Sequence, residues 1–286
     1  METQPEAVGG GARASALHVT RTRASRPARG TVVALHGMME SGPTLRSATD
    51  AWAADGWHVV APDLRGHGRS PRWDADDELH PGDRLTQDVV EIVDELLLSD
   101  AAQAGPLVLF GHSAGGGVAA AVAAARPDRV RAVVLEDPFW RLPVTRHQDR
   151  GVAERAYRDL LDRQAIPPSD LVASGQSAHP AWATAELPAW AQAQHDADPA
   201  LVRNGDVIPT PPWPDLLSAL RAAGSEVLVV TGTGPLVGIL EEHRRLIVER
   251  GARLAVVEGA NHFVRRDAPD RFAELTTAFL ADVAPH

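Results

Sequence analysis

Residues 107–117, Leu-Val-Leu-Phe-Gly-His-Ser-Ala-Gly-Gly-Gly, constrain the fold of this chain more than any other stretch. An apolar run suited to a buried strand leads into Gly111-His112-Ser113-Ala114-Gly115, and an alanine-rich run suited to a helix follows directly. A serine at such a corner sits in strained backbone, and side chains two residues to either side would collide with the neighbouring chain, which accounts for the glycines. The pattern G-x-S-x-G is a nucleophile elbow when it stands between a strand and a helix, as it does here. Ser113 is therefore the candidate nucleophile, with its hydroxyl above the sheet edge at the positive end of a helix.

The flanking pattern extends that unit. Strands are predicted over 31–35, 58–62, 107–110 and 130–135, and helices over 45–55, 85–98 and 114–125. The strand runs are valine- and leucine-rich without polar alternation, so both faces are buried. This predicts an α/β class, with a mostly parallel, doubly wound sheet covered by helices. The alternation stops after Asp137. Residues 138–214 collect Pro138, Pro143, Pro167, Pro168, Pro180, Pro188, Pro199 and Pro209 together with several tryptophans, and carry short helical stretches such as 152–163. They read as an inserted cap. Sheet pattern resumes with a strand over 226–231, a helix over 239–250, a strand over 253–257 and a closing helix over 269–283. The expected organisation is a flexible segment 1–26 with one strand pattern near 17–22, a core of 27–137 and 215–286, and a cap of 138–214. Ordered structure is expected to begin at Gly30.

Composition narrows the classes of partner. Acidic side chains number 38 against 28 basic, a net charge of -10, which argues against nucleic acid or an anionic membrane. The absence of cysteine excludes disulfides, thiolate metal sites and a cysteine nucleophile. Apolar runs are too short to span a bilayer and the N-terminus lacks a signal-peptide core, so a cytoplasmic location is expected. A small-molecule substrate is the expected partner, and the oligomeric state is left open.

Four motifs occur in one order: HGMME at 36–40, APDLRGHGRS at 61–70, GHSAGG at the elbow and GANHF at 259–263. With them the chain, from about residue 30 to 283, resembles capped serine hydrolases of the α/β-hydrolase fold. The resemblance implies His262, in GANHF, as the base that takes the Ser113 proton, because a serine hydroxyl is a weak attacker unaided. It implies oxyanion donors from the backbone N–H of Ala114 and of either Gly37 or Met38. Met38 also suits the wall of an acyl pocket. His36 and His112 are expected to support loops or line the pocket.

Most relatives place the triad acid after the strand that here reads 227–231, but residues 232–238 contain no carboxylate, and Glu241 and Glu242 suit the first turn of a helix. A minority take the acid from the end of the strand after the nucleophile helix. Here that strand ends Glu136-Asp137-Pro138, and by resemblance Asp137 fills the acid position. Adjacent strand-end side chains face opposite ways, which leaves Glu136 as a pocket or supporting residue and as the competing acid. Asp63 is set aside as an organiser of its own loop with Arg65.

That acid placement is similar to zearalenone-type lactone hydrolases, whose cap carries a tryptophan in a segment like Leu187-Pro188-Ala189-Trp190-Ala191. Trp190 would then stack on a flat ligand, or with Trp182 pack the cap onto the core. The expected function is two-step acyl transfer on a small hydrophobic ester or lactone, lactone favoured, with no metal or organic cofactor. Carbon–carbon bond hydrolysis of diketones and perhydrolysis would use the same triad. A serine at the elbow disfavours the dehalogenase and epoxide hydrolase chemistries of this fold, which use aspartate there. The alternative of another class is a non-catalytic ligand-binding protein.

Overall fold

Apolar residues alternate between two buried layers in every central strand of this protein, and that alternation organises the structure. The structure is a computed structural model and describes residues 16–74, 79–98, 105–142, 149–204 and 206–284. Its strands are β1 (Val19–Thr22), β2 (Gly30–Leu35), β3 (Trp57–Pro62), β4 (Leu107–His112), β5 (Val130–Glu136), β6 (Glu226–Gly232) and β7 (Arg253–Val257). They form one sheet in the order β1-β3-β2-β4-β5-β6-β7, with β1 antiparallel to β3 and every other pairing parallel.

Val33, Leu35, Leu109, Val133 and Leu135 point to one face, against helices α2 (Pro81–Leu97), α3 (Ala114–Ala125) and α8 (Trp213–Ala222). Val32, Ala34, Val108, Phe110 and Val134 point to the other, against α1 (Arg46–Ala54) and α11 (Pro269–Val283). Both faces are thus covered, as the unbroken apolar runs require. Trp52, Phe110 and Phe272 meet in tilted and edge-to-face contacts on the second face, which suits the aromatic quadrupoles.

The N-terminal expectation needs correction. Residues 1–15 lie outside the described residues, but order begins before Gly30: β1 pairs along β3 from Val19↔Pro62 to Thr22↔Val59, satisfying the backbone of an otherwise bare sheet edge. Helix α2 also starts earlier than predicted, at Pro81, where a proline suits the first helical turn. Between β5 and α8 the chain builds α4 (Arg150–Gln164), α5 (Pro168–Ala178), α6 (Leu187–Asp196) and α7 (Pro199–Asn204). Leu160, Ala197 and Val202 of this layer pack with Met38 and Met39, so the helical insertion sits on the loop after β2.

Strand order reverses between β2 and β4, since the chain runs outward from β2 to β3 and then returns to β4 on the other side. Open parallel sheets place their crevices outside the carboxyl ends of the strands at such a point. The register aligns Leu35 with Gly111, and His112 with Glu136, so the loops after β2, β4 and β5 leave the sheet side by side. Among the described residues, no helix is long and apolar enough to cross a membrane.

Candidate active site

Ser113 stands between β4 and α3 at φ 52° and ψ -118°, a conformation that costs of order 1–3 kcal/mol for a residue with a Cβ. Its neighbours hold it there. The Ser113 N–H donates to the Glu136 carbonyl at 3.0 Å, and the Ser113 carbonyl accepts from Phe139 at 2.9 Å and Gly116 at 3.0 Å. A Cβ on Gly111 would lie 2.2 Å from the Gly115 carbonyl oxygen, and one on Gly115 would lie 2.4 Å from the His36 carbonyl oxygen. The glycine spacing read in the sequence thus answers two backbone contacts.

Helix α9 (Glu241–Glu249) leads into β7, and His262 lies in the loop between β7 and the short helix α10 (Val264–Asp267). Its Nδ1 is 2.5 Å from Asp137 Oδ2. An ionised carboxylate offers only acceptors, so Nδ1 carries the proton, and in the neutral ring Nε2 keeps a lone pair. Asp137 is fully buried at φ 37°, just past β5. Its Oδ1 accepts from the Thr231 hydroxyl at 2.6 Å and Ile239 N–H at 3.2 Å, and Oδ2 accepts from Gly238 N–H at 2.7 Å. Burial alone would raise the Asp137 pKa, but the hydrogen bond and charge of His262, with the donors from Gly238 and Thr231, outweigh it and hold the carboxyl below its ordinary value. The loop without a carboxylate, 232–238, therefore serves this acid as a source of N–H donors.

Glu136 faces elsewhere. Its carboxylate is fully buried and accepts from Arg265 N–H at 2.8 Å and Arg265 Nη1 at 2.7 Å. It does not line the cavity that Ser113 and His262 share, so its expected part in substrate binding is corrected to support of the His262 loop. The sharp turn at Asp137 separates the two neighbouring carboxylates onto opposite sides of the strand end.

In the loop after β2, Gly37 N–H donates to Glu40 Oε2 at 2.9 Å and Met39 N–H to His67 Nε2 at 3.1 Å. Among the described residues the Met38 N–H meets no acceptor. The same holds for Ala114, whose N–H lies in the first turn of α3 where no intrahelical partner exists. Burial pushes the His67 pKa down to about 3, so the ring is neutral and Nε2 is free to accept. Met39 sits at φ 59°, a left-handed turn within this loop.

Glu40 carries the largest set of buried charge contacts near the site. Its oxygens meet Arg265 Nη2, Arg266 Nη2 at 3.1 Å and His112 Nδ1 at 2.7 Å, while His112 Nε2 reaches the His262 carbonyl at 3.0 Å. Burial pulls the His112 pKa down against the opposing pull of Glu40. Burial would raise Glu40, but the Arg265 guanidinium leads a set of charges that hold it well below the usual carboxylate range. One ionic cluster thereby joins the loop after β2, the elbow, the end of β5 and the His262 loop. His36 supports the same loop, donating from Nδ1 to the Gly37 carbonyl at 2.8 Å and accepting at Nε2 from Leu64 N–H at 2.9 Å.

The cavity has a volume of about 500 Å³ and lies between the sheet edge and the cap. Ser113 and His262 line it together with Met38, Trp182 and Trp190. Trp182 is nearly buried; its Nε1–H donates to Asp267 at 2.7 Å, and Arg266 lies over its ring. Trp190, half-buried on α6, meets Trp182 edge-on with centroids 6.2 Å apart. Trp182 is thus bound to the core while Trp190 forms part of the wall.

Residues 26–199, more than half of the chain, match the profile of the family described as serine aminopeptidase, S33. The chain belongs to that family, within the α/β-hydrolase fold. It is 38% identical to lipase LipV of Mycobacterium tuberculosis over 177 residues, 60% of this chain and 58% of that protein. The chain therefore matches less than two thirds of LipV. It is 30% identical to a monoacylglycerol lipase of Mycolicibacterium smegmatis over 238 residues, 80% of this chain and 75% of that one. A thermophilic esterase from Thermogutta terrifontis superposes with a TM-score of 0.67 at 22% identity, covering 94% of each chain, a likeness of fold.

Three contributors had no clear signal in the sequence. Arg265 follows GANHF but fits no motif, and its partners lie 129 and 225 positions away. Gln194 and Arg163 line the cavity from α6 and α4, cap helices whose docking no local pattern in the sequence signals. Glu40 was the one readable hint, as an acid within HGMME beside buried glycine backbone.

Proposed function

We propose that this S33-family protein is a serine hydrolase that cleaves a carboxylic ester or lactone through an acyl-serine intermediate. The observation that carries it is the 2.5 Å hydrogen bond from His262 to Asp137 at the mouth where Ser113 is held in elbow geometry. Ser113 Oγ attacks the carbonyl carbon while its proton passes to His262 Nε2. Asp137 stabilises the imidazolium that forms and keeps its Nδ1 protonated. The tetrahedral oxyanion takes hydrogen bonds from the N–H groups of Ala114 and Met38. Met38 is assigned rather than Gly37, because the Gly37 N–H is already bound to Glu40.

Collapse of the intermediate breaks the acyl carbon–oxygen bond, and His262 returns its proton to the leaving alkoxide. Water then attacks the acyl carbon by the same sequence, releasing the acid and restoring Ser113. A serine that opened an epoxide would form an ether with no carbonyl for water to attack, whereas attack on an ester or lactone forms a hydrolysable acyl ester, which separates this reading from epoxide opening. A lactone is the favoured substrate form, on the strength of the acid position after β5 and the Trp190 wall.

A fluorophosphonate probe tests the nucleophile: the native protein is expected to label and Ser113→Ala is not. Equal labelling of both, or none of the native protein, overturns the proposal. A turnover screen over aryl esters, small lactones and macrocyclic lactones then tests the preference.

A further inference from the structure

Among the described residues no carboxylate pairs with Arg163, which lines the cavity that holds Ser113 and His262. Arg163, in the last turn of α4, is the only arginine or lysine lining it among the described residues. Its Nε donates to the Asp159 carbonyl at 3.0 Å and its Nη1 to Gln194 Oε1 at 3.1 Å. Both acceptors are neutral, and among the described residues no acid lies within ion-pairing distance of it. Asp159, one turn back on the same helix and exposed, acts on it only at range. Arg163 is half-buried, and that burial pulls its pKa below the ordinary value against the opposing pull of Asp159.

The other charges at the cavity wall do not supply that counter-ion. Glu40 is spent on Arg265, Arg266 and His112. Desolvating a charge is costly unless it is paired, so the site gains most from an anion that arrives with the ligand.

The guanidinium is also held in place. Gln194 is buried, and because arginine only donates, its Oε1 must face Arg163 while its Nε2 donates to the Met39 carbonyl at 2.8 Å. Gln164 donates to the Gln194 carbonyl at 3.0 Å and the Ala197 carbonyl at 2.8 Å, bracing the same corner. Nη2 has no partner among the described residues. A fixed fork with free N–H groups fits a carboxylate, whose single charge matches one guanidinium; a phosphate dianion would leave excess negative charge against Trp182 and Phe263.

We propose that Arg163 is a carboxylate-recognition site in the cap, and that the substrate is an ester or lactone whose apolar body carries a carboxylate away from the scissile bond. This rests on the serine-hydrolase reading above and names its substrate class.

The test compares two p-nitrophenyl esters of equal chain length, the neutral pentanoate and the glutarate monoester with its free carboxylate. The native protein is expected to favour the glutarate ester in kcat/KM by about tenfold, the scale of one charge-assisted contact. Arg163→Met is expected to remove that preference through KM, and Arg163→Lys to keep part of it. Calorimetry supplies a readout free of turnover: the free pentanoate anion, unlike the neutral ester, should bind Ser113→Ala protein and bind Ser113→Ala/Arg163→Met about tenfold more weakly. Equal kcat/KM for the two esters in native protein, or equal pentanoate affinity with and without Arg163, overturns the proposal. Loss of pentanoate binding with Arg163→Met, in a protein that labels with no fluorophosphonate, supports the anion site and sinks only the hydrolase reading.

Discussion

Exchange of Asp137 for asparagine separates the two carboxylates at the end of β5 and can be worked from the geometry. Both Asp137 oxygens accept two hydrogen bonds: Oδ1 from Thr231 and Ile239, Oδ2 from His262 and Gly238. An asparagine amide must put its NH2 in one of these places. At the Oδ2 position it would oppose the Gly238 N–H and force His262 to accept at Nδ1, moving the proton to Nε2 and disabling the base. At the Oδ1 position the Thr231 hydroxyl rotates to accept, and only the Ile239 N–H loses its partner. The second placement is cheaper, so the variant keeps the His262 tautomer and loses chiefly the charge that stabilises the imidazolium.

A charge-assisted hydrogen bond is worth about 1.5–3 kcal/mol, or roughly tenfold to 150-fold in kcat/KM at about 1.4 kcal/mol per decade. The alternative placement, with the wrong tautomer, would cost about 10⁴-fold. Stability should fall by about 1–3 kcal/mol for the orphaned Ile239 N–H. Glu136→Gln should show the opposite balance. It breaks a buried pair with Arg265, for which about 3–5 kcal/mol of stability is typical, while Asp137 and His262 stay joined. Kinetics on an aryl ester and urea denaturation of both variants check this. A Glu136→Gln protein that is stable but inactive, beside an active Asp137→Asn, would refute the reasoning.

Glu40→Gln should change the pH dependence of stability: a carboxyl held below its ordinary value of 4.5 stabilises the fold above that pH and loses its contribution as pH falls through the depressed value. The stability gap between native and variant should therefore be widest above pH 4.5 and shrink below it; a gap constant from neutral pH into acid contradicts this. Gly115→Ala pushes a methyl to 2.4 Å from the His36 carbonyl and 2.7 Å from that of Leu35, both backbone, so about 1–3 kcal/mol or more should be lost in thermal unfolding along with fluorophosphonate labelling. Trp190→Ala removes a half-buried wall and should raise KM for an aryl ester roughly two- to tenfold with little change in kcat; unchanged KM with a lowered melting point would make it a packing residue instead.

Legibility in the sequence tracks how local each residue's constraint is. The elbow could be read because its constraint is carried by adjacent backbone: Gly111 and Gly115 meet chain atoms that any strand-to-helix corner brings near. The buried sheet could be read because both layers sample the same short strands. The choice between Glu136 and Asp137 was different, since period-two alternation separates the two carboxylates without saying which faces the histidine. That choice depends on Arg265, which captures Glu136 from 129 positions away, and on donors from Thr231, Gly238 and Ile239 about a hundred positions on. Gly37 and Met38 are likewise inseparable in the sequence, where nothing signals that the Gly37 N–H is bound to Glu40. The empty-looking loop at 232–238 makes the same point from the other side. With the carboxylate supplied by β5, that loop must approach Asp137 closely enough for Gly238 to donate at 2.7 Å, and a Cβ there would stand 3.5 Å from the same oxygen. An acid in that loop would then face Asp137 at short range and raise the pKa of both. On the proposed assignment of Asp137 as the triad acid, a carboxylate at Gly238 would work against it.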